Sequence, residues 1–274
     1  MGGSTRYEID HDPMKRYVNQ SMTKQEISVI HCIGDSHIHL FSNDPTGQYS
    51  YQNIESGFML HWLGPALAHN LCLSESRTQA RKKIFNLLTR YLVSDSWLLL
   101  SFGEIDCRAH VMQQVMSSLT EQNHKNIINT IKFVVEDIAL KYLQILDDIK
   151  KLGFSHIMVW NAPPSSFYDT CNNNDFPIYG SFEDRTFATY FFNRFMKKRC
   201  YSMDIGFITI EDITNSYIKN KNMSLFADIV HLDESFRFKA IKNIYQFVSC
   251  RTPTFADSWY GRVKKYYRMD IVEK

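Results

Sequence analysis

The chain of 274 residues lacks any C-x-x-C pair, and its six cysteines (Cys32, Cys72, Cys107, Cys171, Cys200, Cys250) are scattered along it. That spacing excludes a zinc ribbon or finger. A chain of this size needs no disulfide framework, so the cysteines are read as free thiols of a reducing compartment. The N-terminal stretch MGGSTRYEIDHDPMKRY has no apolar stretch of the kind a secretory signal carries. No apolar run is long enough to cross a bilayer; residues 97–102 are among the longest. Charge of one sign is also missing: 31 Lys and Arg face 29 Asp and Glu, a net +2, so no global field directs the chain to nucleic acid or to an anionic membrane. Internal repeats and low-complexity linkers are absent as well. What remains is 44% hydrophobic and 22% charged residues, the composition of an ordinary soluble globular protein with a substantial core. A cytoplasmic location is expected.

Short apolar runs alternate with longer stretches of helical period, the pattern of a parallel sheet with helices on both faces. Strands are predicted over 27–33, 58–63, 97–102, 156–160 and 205–210, each bounded by Gly, Pro, Asn or Asp. Helices are predicted over 76–93, 126–151, 182–200 and 235–248; the second ends at Gly153, as a C-cap should. About five strands and five helices suit a three-layer, flavodoxin-like α/β domain. The expected organisation is an N-terminal extension over 1–25, the domain over 26–250, and an aromatic and basic tail over 251–274 that packs on it. Loops are expected over 43–50 and 162–181, and the part from 167 to 181 is long enough to act as a lid.

The residues that could carry chemistry sit where such a sheet puts its functional crevice, at the C-terminal ends of strands. Ile33-Gly34-Asp35-Ser36-His37 presents a serine on a tight turn after strand one. A serine hydroxyl is inert without a base. Asp228-Ile229-Val230-His231 supplies one, because D-x-x-H in a loop lets the carboxylate turn back onto its own imidazole.

Gly-Asp-Ser after the first strand with Asp-x-x-His near the C-terminus resembles the SGNH (GDSL-type) hydrolase superfamily. Its members are flavodoxin-like esterases, lipases and carbohydrate O-acetyl esterases. The resemblance spans about residues 30–248, and the chain order Ser, Asp, His agrees with it. It implies Ser36 as nucleophile, His231 as general base and Asp228 as the acid that orients it. It implies further that the backbone N–H groups of Ser36 and of a second-block glycine bind the oxyanion. Gly64 is the best match to that glycine, ahead of Gly47 and Gly57. No metal or cofactor is required, and activity is expected to rise with pH as His231 loses its proton.

The third block of the family reads G-x-N-D, whereas this chain has Gly103-Glu104-Ile105-Asp106. Ile105 cannot donate a side-chain hydrogen bond, and the loss of one oxyanion donor costs about 2.7–4 kcal/mol. Arg108 is a candidate substitute. Glu104, Asp106, Arg108, Asp35 and His37 are therefore grouped with Gly64 and Gly103 as candidates for oxyanion or substrate binding. An acidic helix start or a salt bridge with Arg108 explains Glu104 and Asp106 equally well. The run 101–110 resembles a divergent branch associated with glycan modification, which implies an acylated sugar as substrate.

Two other readings stay open. The string Asp35-Ser36-His37-Ile38-His39 fits the D-x-H-x-H strand of metal-dependent hydrolases, in which alternate histidines point the same way. Alternatively, the fold is kept and hydrolysis is lost, leaving an acyl transferase or a glycan-binding module. His31 reads as a core histidine. Cys107 and His110 lack a second half-site for zinc. Trp160 and Tyr168 suit sugar stacking, although packing is the commoner fate of such rings.

Overall fold

The computed structural model describes residues 28–42, 56–118, 127–168, 176–210 and 225–269. The expected N-terminal extension, the loop 43–50 with Gly47, and residues 169–175 of the expected lid lie outside them. Five strands form one parallel sheet: β1 (Ile30–Gly34), β2 (Phe58–Trp62), β3 (Trp97–Ser101), β4 (Ile157–Trp160) and β5 (Gly206–Ile208). Their order, β2-β1-β3-β4-β5, is the flavodoxin-like order. The chain has a three-layer α/β fold.

Strand period two explains the layers. Leu98 and Leu100 of β3 face one hydrophobic cluster, and Trp97 and Leu99 face the other. Every residue of β3 and β4 is buried, as a central parallel strand covered on both faces requires. The first face is covered by α1 (Ala80–Tyr91), α2 (Val111–Ser118), α3 (Ile127–Lys151) and α4 (Phe182–Ser202). In α3, Ile131, Val135, Ile138, Tyr142 and Ile145 recur at three and four residues and form its buried stripe. The second face is covered by α5 (Arg237–Ser249) and α6 (Pro253–Tyr267).

Three elements differ from the sequence expectation. The first helix begins at Ala80 rather than 76, because Gln79 sits in the left-handed region at φ 49° and interrupts the helical backbone. A π-helical turn, Asp106–His110, leads into α2, where no separate helix was expected. The tail is a helix with proline in its first turn, where the missing N–H has no intrahelical acceptor in any case. Trp259 in α6 is fully buried and donates Nε1–H to Gly57 O at 2.8 Å, and Tyr267 donates its hydroxyl to Phe41 O at 2.8 Å.

The sheet also explains Gly34. A Cβ there would lie 2.4 Å from Ser101 O on the neighbouring strand, so only glycine lets β1 run this close to β3 before it turns. Among the described residues no helix is long and apolar enough to cross a membrane.

Candidate active site

β1 delivers the serine turn. Asp35 ends the strand in an extended conformation, caps the following 3-10 turn Ser36–Phe41, and accepts His37 N–H on Oδ1 at 3.0 Å. Ser36 is thus the first residue of a short helical turn at the C-terminal edge of the sheet. Asp35 is wholly buried and its Oδ2 has no hydrogen-bond partner among the described residues; burial pushes its carboxyl up to about 6.

The imidazole that faces Ser36 comes from much later in the chain. Residues 225–233 fold back on themselves through an antiparallel bridge between Phe226 and Leu232 and the bond Ala227 N–H to His231 O at 2.9 Å. Within this loop Asp228 Oδ1 accepts the backbone N–H groups of Val230 and His231 at 2.8 and 2.7 Å. Its other oxygen, Oδ2, lies 2.6 Å from His231 Nδ1. Burial opposes the Asp228 charge, but the bonds from the imidazole and the two N–H groups outweigh it and hold the carboxyl well below the usual range. A proton on His231 Nδ1 is thereby pinned to Asp228. The ring then faces Ser36 with Nε2, which lies 2.7 Å from Oγ across 195 residues of chain.

A second imidazole stands beside the first. The His37 and His231 rings are 5.0 Å apart between centroids. His37 Nε2 lies 3.0 Å from Glu104 Oε2, and Glu104 Oε1 accepts Arg108 Nε–H at 2.7 Å. Arg108 also donates from a terminal nitrogen to Pro177 O at 2.7 Å. All three side chains are buried. Burial works against both charges of the His37–Glu104 pair. For His37, the neighbouring Glu104 and Asp35 carboxylates prevail and raise it above the ordinary imidazole value. For Glu104, the Arg108 and His37 charges prevail and bring it down to about 2.

The remaining candidates act on the backbone. Gly64 lies two residues beyond β2, as Ser36 lies two beyond β1, and Gly34 pairs with Trp62, so the two loops leave the sheet side by side. The N–H groups of Ser36 and Gly64 have no hydrogen-bond acceptor among the described residues. Gly103 adopts φ 109°, and a Cβ there would lie 2.4 Å from the Phe192 ring, so glycine lets α4 close over the end of β3. Asp106 is not among the cleft residues. It accepts Ala68 N–H at 2.6 Å and His69 N–H at 3.2 Å, and lies 2.7 Å from His69 Nδ1, anchoring the segment that follows Gly64. Ile105 directly precedes the π turn and carries no polar side-chain atom.

Ser36, His37 and His231 open onto a cleft of about 510 Å³ that is also lined by His39, Trp62, Trp160 and Arg237. Arg108 is not part of its wall; it reaches the cleft only through Glu104 and His37. Sequence reading missed Arg237, which sits inside a helical pattern and ties α5 to the serine turn through Nε–H to Leu40 O at 2.6 Å. It also missed Phe176, edge-on to His231 at 5.7 Å. Nothing in the local pattern of either residue distinguishes it from core or surface packing. The D-x-H-x-H reading needs an extended strand, but residues 36–41 form a 3-10 turn. His37 turns to Glu104 and His39 to Trp62, so the two rings do not converge. Among the described residues no group of three His, Cys, Asp or Glu is gathered to hold a metal ion.

No family model matches the chain, and no curated protein matches it by sequence. Among solved structures it is similar to the phospholipase A1 from Streptomyces albidoflavus NA297, with a TM-score of 0.49 and 14% identity. The likeness covers 79% of this chain and 98% of that one.

Proposed function

We propose that the chain is a serine esterase of the SGNH type, which removes an O-acyl group from a carbohydrate or glycan. The observation that carries this reading is the continuous line from Asp228 to His231 to Ser36, at 2.6 and 2.7 Å, on the wall of a cleft. In this mechanism Ser36 Oγ attacks the acyl carbon while its proton passes to His231 Nε2, and Asp228 stabilises the imidazolium that forms. The Ser36 N–H, which has no acceptor among the described residues, binds the oxygen that gains charge; Gly64, at the end of the neighbouring strand but not in the cleft wall, is the proposed second donor. His231 then returns its proton to the departing alcohol oxygen. Water attacks the acyl-enzyme with His231 again as base, and the acid leaves as Ser36 recovers its proton. A sugar hydroxyl in place of water makes the same steps an acyl transfer. Trp62 together with Asp233, Glu234 and Arg237 in the cleft supports a hydroxyl-rich acyl carrier, because a flat apolar face flanked by fixed polar groups suits a sugar ring.

The test is intact mass after incubation with a fluorophosphonate, which reports an activated serine without knowledge of the substrate. One adduct per chain is expected, mapping to Ser36 and absent in Ser36→Ala. An unlabelled chain, or an adduct that survives Ser36→Ala, overturns the reading. Acylated sugars offered with and without an acceptor sugar then separate hydrolysis from transfer.

A further inference from the structure

We infer that His37 is a catalytic residue in its own right: as an imidazolium it donates Nδ1–H to the oxygen that becomes negative when Ser36 attacks. This deepens the esterase reading and rests on it. Four observations carry it. His37 follows the nucleophile directly, and its ring lies 5.0 Å from that of His231. Its Nε2 is committed to Glu104 at 3.0 Å. Its Nδ1 has no hydrogen-bond partner among the described residues and is not one of the polar atoms sealed from solvent, while the ring forms part of the cleft wall. Finally, Glu104 is itself held by Arg108, whose other bond goes to Pro177 O, so the imidazole has a rigid base.

The chemistry follows from the charges that face the ring. Glu104 and Asp35 favour a protonated His37; Arg108 opposes it from behind Glu104, and burial opposes it too. His231, the neighbouring imidazole, is paired with Asp228. With Nε2–H given to Glu104, a neutral His37 would offer only a lone pair at Nδ1; the cation offers a donor there. Two imidazoles in contact thus take opposite duties, one accepting a proton from Ser36 and the other held charged beside the reacting carbon. In the addition step the Ser36 O–C bond forms, the carbonyl pair moves onto oxygen, and the Ser36 proton goes to His231. His37 keeps its proton and lends it as a hydrogen bond, and collapse of the intermediate returns the pair to the carbonyl. Glu104 and Arg108 are positioning residues in this scheme.

The experiment measures the rate of fluorophosphonate labelling at Ser36 against pH, in the wild type, His37→Gln and His37→Leu, with the melting temperature of each recorded. For the wild type a bell is expected, whose falling limb at higher pH marks the loss of the His37 proton. His37→Leu should label about a hundredfold more slowly at the optimum, the scale of one lost oxyanion donor. His37→Gln keeps an N–H donor that cannot titrate; it should recover part of the rate and lose the falling limb. Wild-type labelling without a falling limb, or a folded His37→Leu that labels at the wild-type rate, overturns the inference and leaves the esterase reading standing. Failure of the wild type to label at Ser36 overturns both. If His37→Leu does not fold, the wild-type and His37→Gln profiles decide.

Discussion

His31 Nδ1 lies 3.0 Å from His61 Nε2, the two rings stacked 5.3 Å apart on the neighbouring strands β1 and β2. One nitrogen of the contact must donate and the other accept, and burial disfavours a charge on either ring. Burial depresses His31 to about 4; His61 falls to about 3, through burial and then the His31 charge. Both folded values lie below the unfolded value of 6.5. The unfolded chain therefore takes up protons first as pH falls, so this contribution is complete above about 6.5 and is lost between there and about 4 for His31 and about 3 for His61. At pH 5 the cost is of order 2 kcal/mol per imidazole. Urea midpoints measured from pH 7 to pH 5 are expected to fall, and to fall less steeply in His61→Phe. Equal slopes in the two proteins would contradict the assignment.

Asp228 fixes the tautomer of His231. Asp228→Asn preserves the shape of the loop but allows the ring to present Nε2–H to Ser36 instead of a lone pair. Labelling of Ser36 should slow by about 10⁴-fold, the scale seen when a triad acid becomes an amide. Circular dichroism should be unchanged. A loss of less than tenfold would show that the 2.6 Å contact has no part in activation.

Arg185 is fully buried on the first turn of α4 and donates to Gly180 O at 2.6 Å, Ser166 O at 3.0 Å and Tyr168 O at 2.5 Å. It ties the start of α4 to the backbone at 166–168 and at 180. Arg185→Met leaves these carbonyls without their donor and should cost about 3 kcal/mol in chemical denaturation. Limited proteolysis should then cut between 166 and 180 well before any other site. A cleavage pattern like that of the wild type would mean that the loop is held by other contacts.

Trp259 closes the second face of the sheet, edge-on to Phe58 at 5.4 Å. Trp259→Ala should destabilise the protein by about 3–5 kcal/mol, through lost burial and the cavity left behind. Truncation after Arg251 should expose Phe58 and Leu60 and promote association, as light scattering would detect. A soluble truncated chain with an unchanged melting temperature would show that α6 is dispensable.

Much of this protein could be read from local pattern. The five strands were expected within three residues of where they begin and end, because a parallel strand buried on both faces is a short apolar run between breakers, as in 97–101. Helix α3 was legible for the same kind of reason: its buried positions repeat at helical spacing over 25 residues. Ser36 could be singled out because a Gly-Asp-Ser turn follows a strand, and the Asp228–His231 pair because a three-residue spacing lets a carboxylate reach its own imidazole.

Spacings of a few residues thus determined the sheet, helices α1, α3, α4 and α5, the Ser36 turn and the Asp228–His231 pair. What only the tertiary structure decided are the contacts between segments far apart in the chain. His37 meets Glu104 across 67 residues, Arg108 meets the backbone of Pro177 across 69, and Arg237 meets Leu40 across 197. No local pattern encodes such pairings, because they depend on strand order and on which loops leave the sheet next to one another. For the same reason His37 reads in sequence as one half of a D-x-H-x-H string, and in the fold as an imidazole paired with Glu104 beside the serine turn: a 3-10 turn, not a strand, carries it there.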